Sequence, residues 1–162
     1  MKNIPIIPPI GMCGYDHNIK LKGTPLLAHT EIDKEYVTSG KLSIHNTPVI
    51  PVRLMNGGTK TGWVDAMIDT GSYYSHVKKT LIDAIGLKPI DFFEGNHPIQ
   101  GNINNPVFGS AFQISNIPVG FSTCFMLMDE RFNYDVIIGS HFFDICDLHI
   151  FSKEKRFELI IF

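Results

Sequence analysis

The ten residues Trp63-Val64-Asp65-Ala66-Met67-Ile68-Asp69-Thr70-Gly71-Ser72 limit what this chain can become more than any other stretch. An apolar run with strand character stops abruptly at Asp-Thr-Gly-Ser. Carboxylates are rarely buried without a partner, so an acid at the tip of such a strand is costly unless something uses it. Thr70 and Gly71 suit a tight turn, one supplying a hydroxyl and the other tolerating positive φ. The stretch reads as an active-site loop over Thr70, Gly71 and Ser72, with Asp69 as its working residue. The plainer reading is a buried turn in which Asp69 caps backbone N–H groups.

The flanks describe a scaffold for that acid. Thr47 to Leu54 reads as a strand, with Pro51 favouring an edge or a bulge. Asn56-Gly57-Gly58 is a hairpin-turn signal, and Gly62 to Ile68 returns as the strand that delivers Asp69. Past the loop, Val77, Leu81, Ile82 and Ile85 fall at helical spacing, with Gly86 as C-cap and Pro89 as stop. Residues 95 to 114 carry Gly95, Gly101 and Gly109 among apolar side chains, which predicts a glycine-hinged hairpin with an Asn-rich tip around Gly101 to Asn105. Strands follow near 111–119 and 121–128, and Phe125-Met126-Leu127-Met128 should be buried on both faces. Asp129-Glu130-Arg131 makes a turn before a strand from Tyr134 to Ile138, and residues 140 to 146 should form a short helix. The chain closes on a hairpin of Leu148 to Phe151 and Phe157 to Phe162. An exposed edge that apolar invites aggregation, so the last strand needs cover, and a second subunit is the obvious one.

Two stretches carry a family resemblance. Met67-Ile68-Asp69-Thr70-Gly71-Ser72 resembles the catalytic loop of retropepsin-like aspartic proteases, in which two hydrophobic residues precede Asp-Thr-Gly and Ser or Ala follows. Asp135-Val136-Ile137-Ile138-Gly139-Ser140-His141-Phe142-Phe143 resembles the family's second signature, a buried Ile-Ile-Gly strand end running into a short helix. Order and separation also match, and the resemblance covers about residues 44 to 162. It implies an all-β, closed acid-protease barrel with one or two short helices. It also implies a homodimer whose two Asp69 carboxylates share the catalytic work. In that scheme Thr70 locks the two loops together, Gly71 lets substrate backbone approach, and Ser72 hydrogen-bonds near the carboxylate. Val136, Ile137, Ile138 and Gly139 wall substrate pockets, and the hairpin is a flap with Gln100, Gly101, Asn102 and Ile103 at its working end. The helix after the loop is similar to the bacterial and cellular branch of the family. Two places depart from the viral members, which carry an ion pair between an Arg after Ile-Ile-Gly and an acid after Asp-Thr-Gly: Ser140 and Tyr73 stand there. His141 stands where Asp or Asn is common.

The chemistry asks for two acids. Peptide hydrolysis without a metal or covalent intermediate needs a general base to activate water and a general acid for the carbonyl and leaving amine. Two adjacent carboxylates do both, because they cannot both ionise cheaply and so share one proton; aspartic proteases are the established example. No other acid in the chain sits in a second Asp-Thr/Ser-Gly. A two-fold homodimer supplies the second Asp69 at its axis. The function expected is therefore an aspartic endopeptidase acting on a polypeptide substrate. The alternative is a non-catalytic peptide-binding or dimerisation module on the same barrel.

Composition sets outer limits. A chain of 162 residues, 44% hydrophobic and 19% charged, is long enough for one domain with a real core. A net charge of −2 argues for neither nucleic acid nor a membrane surface as partner, and no apolar run approaches a membrane span. The opening Met1 to Pro9 is a poor signal peptide, its apolar part short and broken by prolines. Cys13, Cys124 and Cys146 cannot all pair within one chain, so reduced thiols and a cytoplasmic setting are expected. Residues 1–43 read as an N-terminal extension, either an ordered arm, a loose tail or a removable leader; residues 44–162 read as the protease-like domain. No metal or cofactor is expected: the seven histidines include no His-Glu-x-x-His. Gly57 to Gly62 lacks the phosphate-loop order, and Ser72 or Ser75 beside His76 lacks a nucleophile elbow. The phenylalanines read as core.

Overall fold

Alternating patterns and tight turns dominate the chain, and strands follow from them almost throughout. The structure, a computed structural model, describes residues 6–7, 35–97 and 101–162, and of residues 6–7, 95–97 and 101–103 the backbone alone. The elements run β1 (Ile6–Ile7), β2 (Tyr36–Lys41), β3 (Val49–Asn56), β4 (Thr59–Lys60), β5 (Val64–Asp69), β6 (Ser75–Lys78), helix α1 (Lys79–Ala84), β7 (Asp91–His97), β8 (Gly101–Ile114), β9 (Gly120–Met128), β10 (Val136–Gly139), a 3₁₀ turn (Ser140–Ile145), β11 (Cys146–Phe151) and β12 (Arg156–Ile161). Six strands close a barrel in the order β9-β6-β10-β5-β3-β8, with β8 pairing back onto β9. This is the all-β closed barrel with short helical segments that the resemblance implied.

The hairpin leading to Asp69 forms as its turn residues dictate. Gly57 takes φ +56, and the chain turns back through β4 into β5. Pro51 does not mark an edge, because β3 pairs with both β5 and β8. It is tolerated because it lies level with Ser115, one residue past the end of β8. Its carbonyl accepts the Ser115 N–H at 2.9 Å, and no interior rung needs its missing donor.

Helical spacing misplaces one residue. Val77 belongs to β6, fully buried between Val136 of β10 and Leu127 of β9, and the helix starts only at Lys79. Sheet pairing on both sides outweighs the local period. The helix end is as expected: Gly86 takes φ +66, its N–H reaches the Asp83 carbonyl, and the Leu87 N–H reaches that of Ile82. Residues 111–114 end the long strand β8, so the strand expected over 111–119 starts earlier and stops at Ile114. The hairpin tip expected around Gly101 to Asn105 is also corrected. Gly101 pairs with His97, Asn102 with Asn96 and Asn105 with Phe93, so these residues are strand, and the connection between β7 and β8, Gln100 included, lies outside the described residues.

Four phenylalanines fill the barrel. Phe112 lies 5.5 Å from Phe121, 6.2 Å from Phe125 and 5.4 Å from Phe142, and Phe121 lies 5.3 Å from Phe142, in tilted and edge-on arrangements that aromatic rings favour. Cys146 belongs to the same core, where burial pushes its thiol up to about 12, so it is a packing residue.

The last strand finds its cover within the chain. β12 is the middle of a three-stranded sheet, between β11 and β2. The second subunit expected to shield it is replaced at this edge by residues 36–41, which the sequence placed in the N-terminal extension. Phe157, Leu159 and Ile161 are fully buried on its inner face. Gly40 makes this fit possible, since a Cβ there would come 2.7 Å from the Phe157 ring. Truncating Leu159→Ala should cost about 2–5 kcal/mol of stability in urea unfolding, as expected for a large-to-small change in a sealed core.

Candidate active site

Asp69 owes its position to the strand that wedges beside it. The chain leaves β5, passes through residues 70–74 and enters β6, and β10 inserts between the two, parallel to β5 and antiparallel to β6. All four residues of β10 are buried, as a strand covered on both faces must be. The register sets Gly139 directly beside Asp69, Ile137 beside Met67 and His76 beside Ile137.

Strand alternation then sorts the faces. Ala66 and Ile68 of β5 are buried in the core, so Asp65, Met67 and Asp69 share the other face. Through the pairings above, Ile137 and His76 lie on that same face. Asp69, half-buried, therefore heads a strip of Met67, Ile137 and His76. Val136 and Ile138 point the opposite way and are wholly inaccessible. They support the core and cannot wall a pocket as expected; of the expected set, Ile137 and Gly139 remain on the Asp69 side.

The loop itself is stitched down at successive residues. The Gly71 N–H donates to Asp69 Oδ1 at 2.9 Å, and the Ser72 N–H to the Asp69 carbonyl at 3.3 Å. The Ser72 hydroxyl donates to the Tyr74 carbonyl at 2.9 Å and so braces the loop from within. From the other side, the Ser140 N–H donates to the Ser72 carbonyl at 2.6 Å and the His141 N–H to the Tyr73 carbonyl at 3.3 Å. Ser140 and Tyr73 thus lie on facing segments joined through the backbone. Ser75, which the sequence weighed as a nucleophile, is almost wholly buried, and its hydroxyl accepts the Gly139 N–H at 3.1 Å. Gly139 admits the loop because it has no side chain: a Cβ would lie 2.4 Å from the Tyr74 carbonyl oxygen and 2.5 Å from that of Tyr73. Thr70 and Gly71 are exposed at the loop's outer tip.

Aromatic rings surround the loop. Tyr73 meets Tyr74 edge-on at 5.1 Å, and Tyr74 lies 5.3 Å from Phe93 of β7, which ties the β7–β8 hairpin to the loop's flank. Burial lowers the pKa of His76 from its ordinary value, against the raising pull of the Tyr74 backbone and the Asp69 carboxylate, so the ring is neutral at pH 7. Sequence reasoning singled out Asp69, Thr70, Gly71, Ser72 and Gly139, which the structure brings together. It missed the structural work of Ser75, and a buried serine at a strand start leaves no spacing signal to find it by.

Among solved structures, the barrel matches a retropepsin-like aspartic protease from Rickettsia conorii with a TM-score of 0.56 at 12% identity, covering 79% of this chain and 93% of that one. The fold is retropepsin-like. The retroviral protease-like domain of Ddi1 from Leishmania major overlays with a TM-score of 0.42 at 15% identity, over 65% of this chain and 82% of that one. The sequence matches no protein-family model and no curated protein. In this retropepsin-like barrel the acid, its turn and the Gly139 strand end form one hydrogen-bonded unit carried by β5, β6 and β10.

Two expectations follow for the unit, and a third for Gly58 in the β3–β4 turn as a control. Gly139→Ala should cost about 1–3 kcal/mol in urea unfolding, because backbone rather than a flexible side chain must move. Gly58→Ala, with open space around it, should stay within about 0.5 kcal/mol of the parent. Because folded His76 resists protonation, the unfolded chain binds protons more readily below about pH 6.5. Stability should therefore fall as pH drops through that point, and a His76→Gln variant should lose less of it in pH-dependent urea titrations.

Proposed function

We propose that the protein is an aspartic endopeptidase that works as a homodimer, with Asp69 of each chain as one half of the catalytic dyad. The observation that carries the reading is the setting of Asp69. It is an acid at the end of a barrel strand, half-open, on a backbone-clamped turn, beside a glycine strand end, in a retropepsin-like fold.

The mechanism follows from that setting. Each loop offers a single carboxylate at its tip, so two loops must face one another across a two-fold axis. The paired acids then share one proton. The ionised member takes a proton from the lytic water as it attacks the peptide carbonyl. The protonated member protonates the carbonyl oxygen and the dyad later delivers a proton to the leaving amine. In this scheme the exposed Thr70 bonds across the axis, and Gly71 leaves room for substrate backbone. Met67, half-buried on the Asp69 face beside the buried Ile137, offers apolar contact to substrate side chains. The β7–β8 hairpin, held at its flank by Tyr74 and Phe93, is the element that covers the bound peptide. No helix among the described residues is long and apolar enough to cross a membrane. A cytoplasmic setting and a polypeptide substrate complete the reading.

The decisive variant is Asp69→Asn, which removes the acid while preserving shape. Cleavage of a peptide library, blocked in the parent by a statine-type inhibitor, should fall by about 10²–10⁴-fold or more. Melting temperature and sedimentation as a dimer should be unchanged. Undiminished cleavage in the variant removes this mechanism. A parent that binds peptides without cutting them, or that sediments as a monomer, turns the reading to the binding module.

A further inference from the structure

His141 gathers three hydrogen-bonding contacts at the edge of the loop. It lies half-buried in the 3₁₀ turn after β10. Its ring Nδ1 is 2.8 Å from the Tyr73 carbonyl oxygen, and its Nε2 is 2.5 Å from Thr123 Oγ1. Its backbone N–H donates to the same Tyr73 carbonyl at 3.3 Å. A carbonyl oxygen can only accept, so Nδ1 carries the proton. In the neutral ring Nε2 then accepts the proton of the Thr123 hydroxyl. Thr123 is buried in β9, paired with Ser110 of β8, and belongs to the wall of the barrel. One planar ring thus joins that wall to the loop.

The Tyr73 carbonyl is a sensitive place to hold. It is among the atoms closest to Gly139 and takes both bonds from His141. The preceding residue, Ser72, donates its N–H to the Asp69 carbonyl and accepts from the Ser140 N–H. A shift at Tyr73 therefore passes through Ser72 to the backbone of Asp69, because planar peptide units leave few soft torsions between them.

We propose that His141 is a positioning residue for the active-site loop: its ring ties the Tyr73 carbonyl to Thr123 in the barrel wall and thereby sets the placement of Asp69. This rests on the reading of Asp69 as the proteolytic acid, but one arm of its test needs no proteolysis. Among substitutions, an Asn side-chain amide stands where Nδ1 does and can donate to Tyr73. A Gln amide stands where Nε2 does and can reach only Thr123.

The full-length protein is compared with His141→Ala, His141→Asn and His141→Gln. By NMR, amide hydrogen exchange at Gly71 and Ser72 should quicken about tenfold or more in the Ala and Gln variants, the loss of a restraint worth roughly one decade in opening equilibrium. The Asn variant should return close to the parent rate. In peptide cleavage, kcat should drop about 10–100-fold for Ala and Gln with KM little changed, as loose placement of a catalytic group predicts, and recover in Asn. The proposal is overturned if loop exchange is unmoved in His141→Ala. It is also overturned if Gln restores the loop as well as Asn does, or if kcat is the same in every variant while the parent cleaves. A parent that cuts nothing, with the exchange pattern intact, retires the proteolytic reading and leaves the positioning of the loop in place.

Discussion

The close approach of the loop carbonyls at Tyr73 and Tyr74 to the bare backbone of Gly139 is the constraint around which the site is built. It requires β10 to lie between β5 and β6, and there all four residues of β10 are buried, which calls for apolar side chains. Val136 and Ile138 meet that demand on the core side, each burial contributing about 1.5–3 kcal/mol relative to exposure. Ser75 meets the polar demand by accepting the Gly139 N–H, which would otherwise be a buried donor without a partner. An acid on a surface turn could wander by ångströms. Here its turn is bonded to a neighbouring strand end and 3₁₀ turn at Ser72 and Tyr73, so much of the barrel's packing energy stands behind the position of one carboxylate.

The terminal sheet solves a different problem with the same economy of means. β12 carries Phe157, Leu159 and Ile161 on one face and would be a hazardous edge if either side were open. Its neighbours on both sides come from its own chain, β11 by a tight turn and β2 from over a hundred residues earlier. This sheet therefore leaves no open side of β12 for a second subunit to cover. The proposed dimer rests instead on the proposed chemistry, one acid per chain in a loop whose outer tip, at Thr70 and Gly71, is open.

What was legible in the sequence tracks how local the deciding interaction is. The hairpin into Asp69 is set by Asn56-Gly57-Gly58 and by alternation along β5, both readable within a few residues, and the Schellman end of α1 is announced by Gly86. The misreadings share one cause. Val77 fits a helical period, yet two strands far away in sequence claim it. Val136 and Ile138 look like pocket residues in a one-dimensional motif, and only pairing with β5 reveals which side chains of β10 turn inward. Glycine and asparagine between 101 and 105 suggest a turn, but the register with β7 makes them strand. β2 carries no strong pattern, and its partner is the chain's far end. In each case the winner is a non-local pairing that no window of the sequence contains.

The site's polar groups show why motif and machinery differ in reach. Asp69, Thr70 and Gly71 are adjacent in sequence and recognisable as a set because they form one turn. The residues that hold this turn, Ser75, Gly139, Ser140 and His141, are supplied by β6, by the end of β10 and by the 3₁₀ turn after it, and Thr123 by β9. Their job is to satisfy particular backbone groups, and many side chains can do that in a suitable frame. Under the proposed function the acid's chemistry dictates residue identity, whereas its support dictates only geometry. A barrel can keep the first as a short string of letters while rebuilding the second from whatever donors and acceptors its own strands bring alongside.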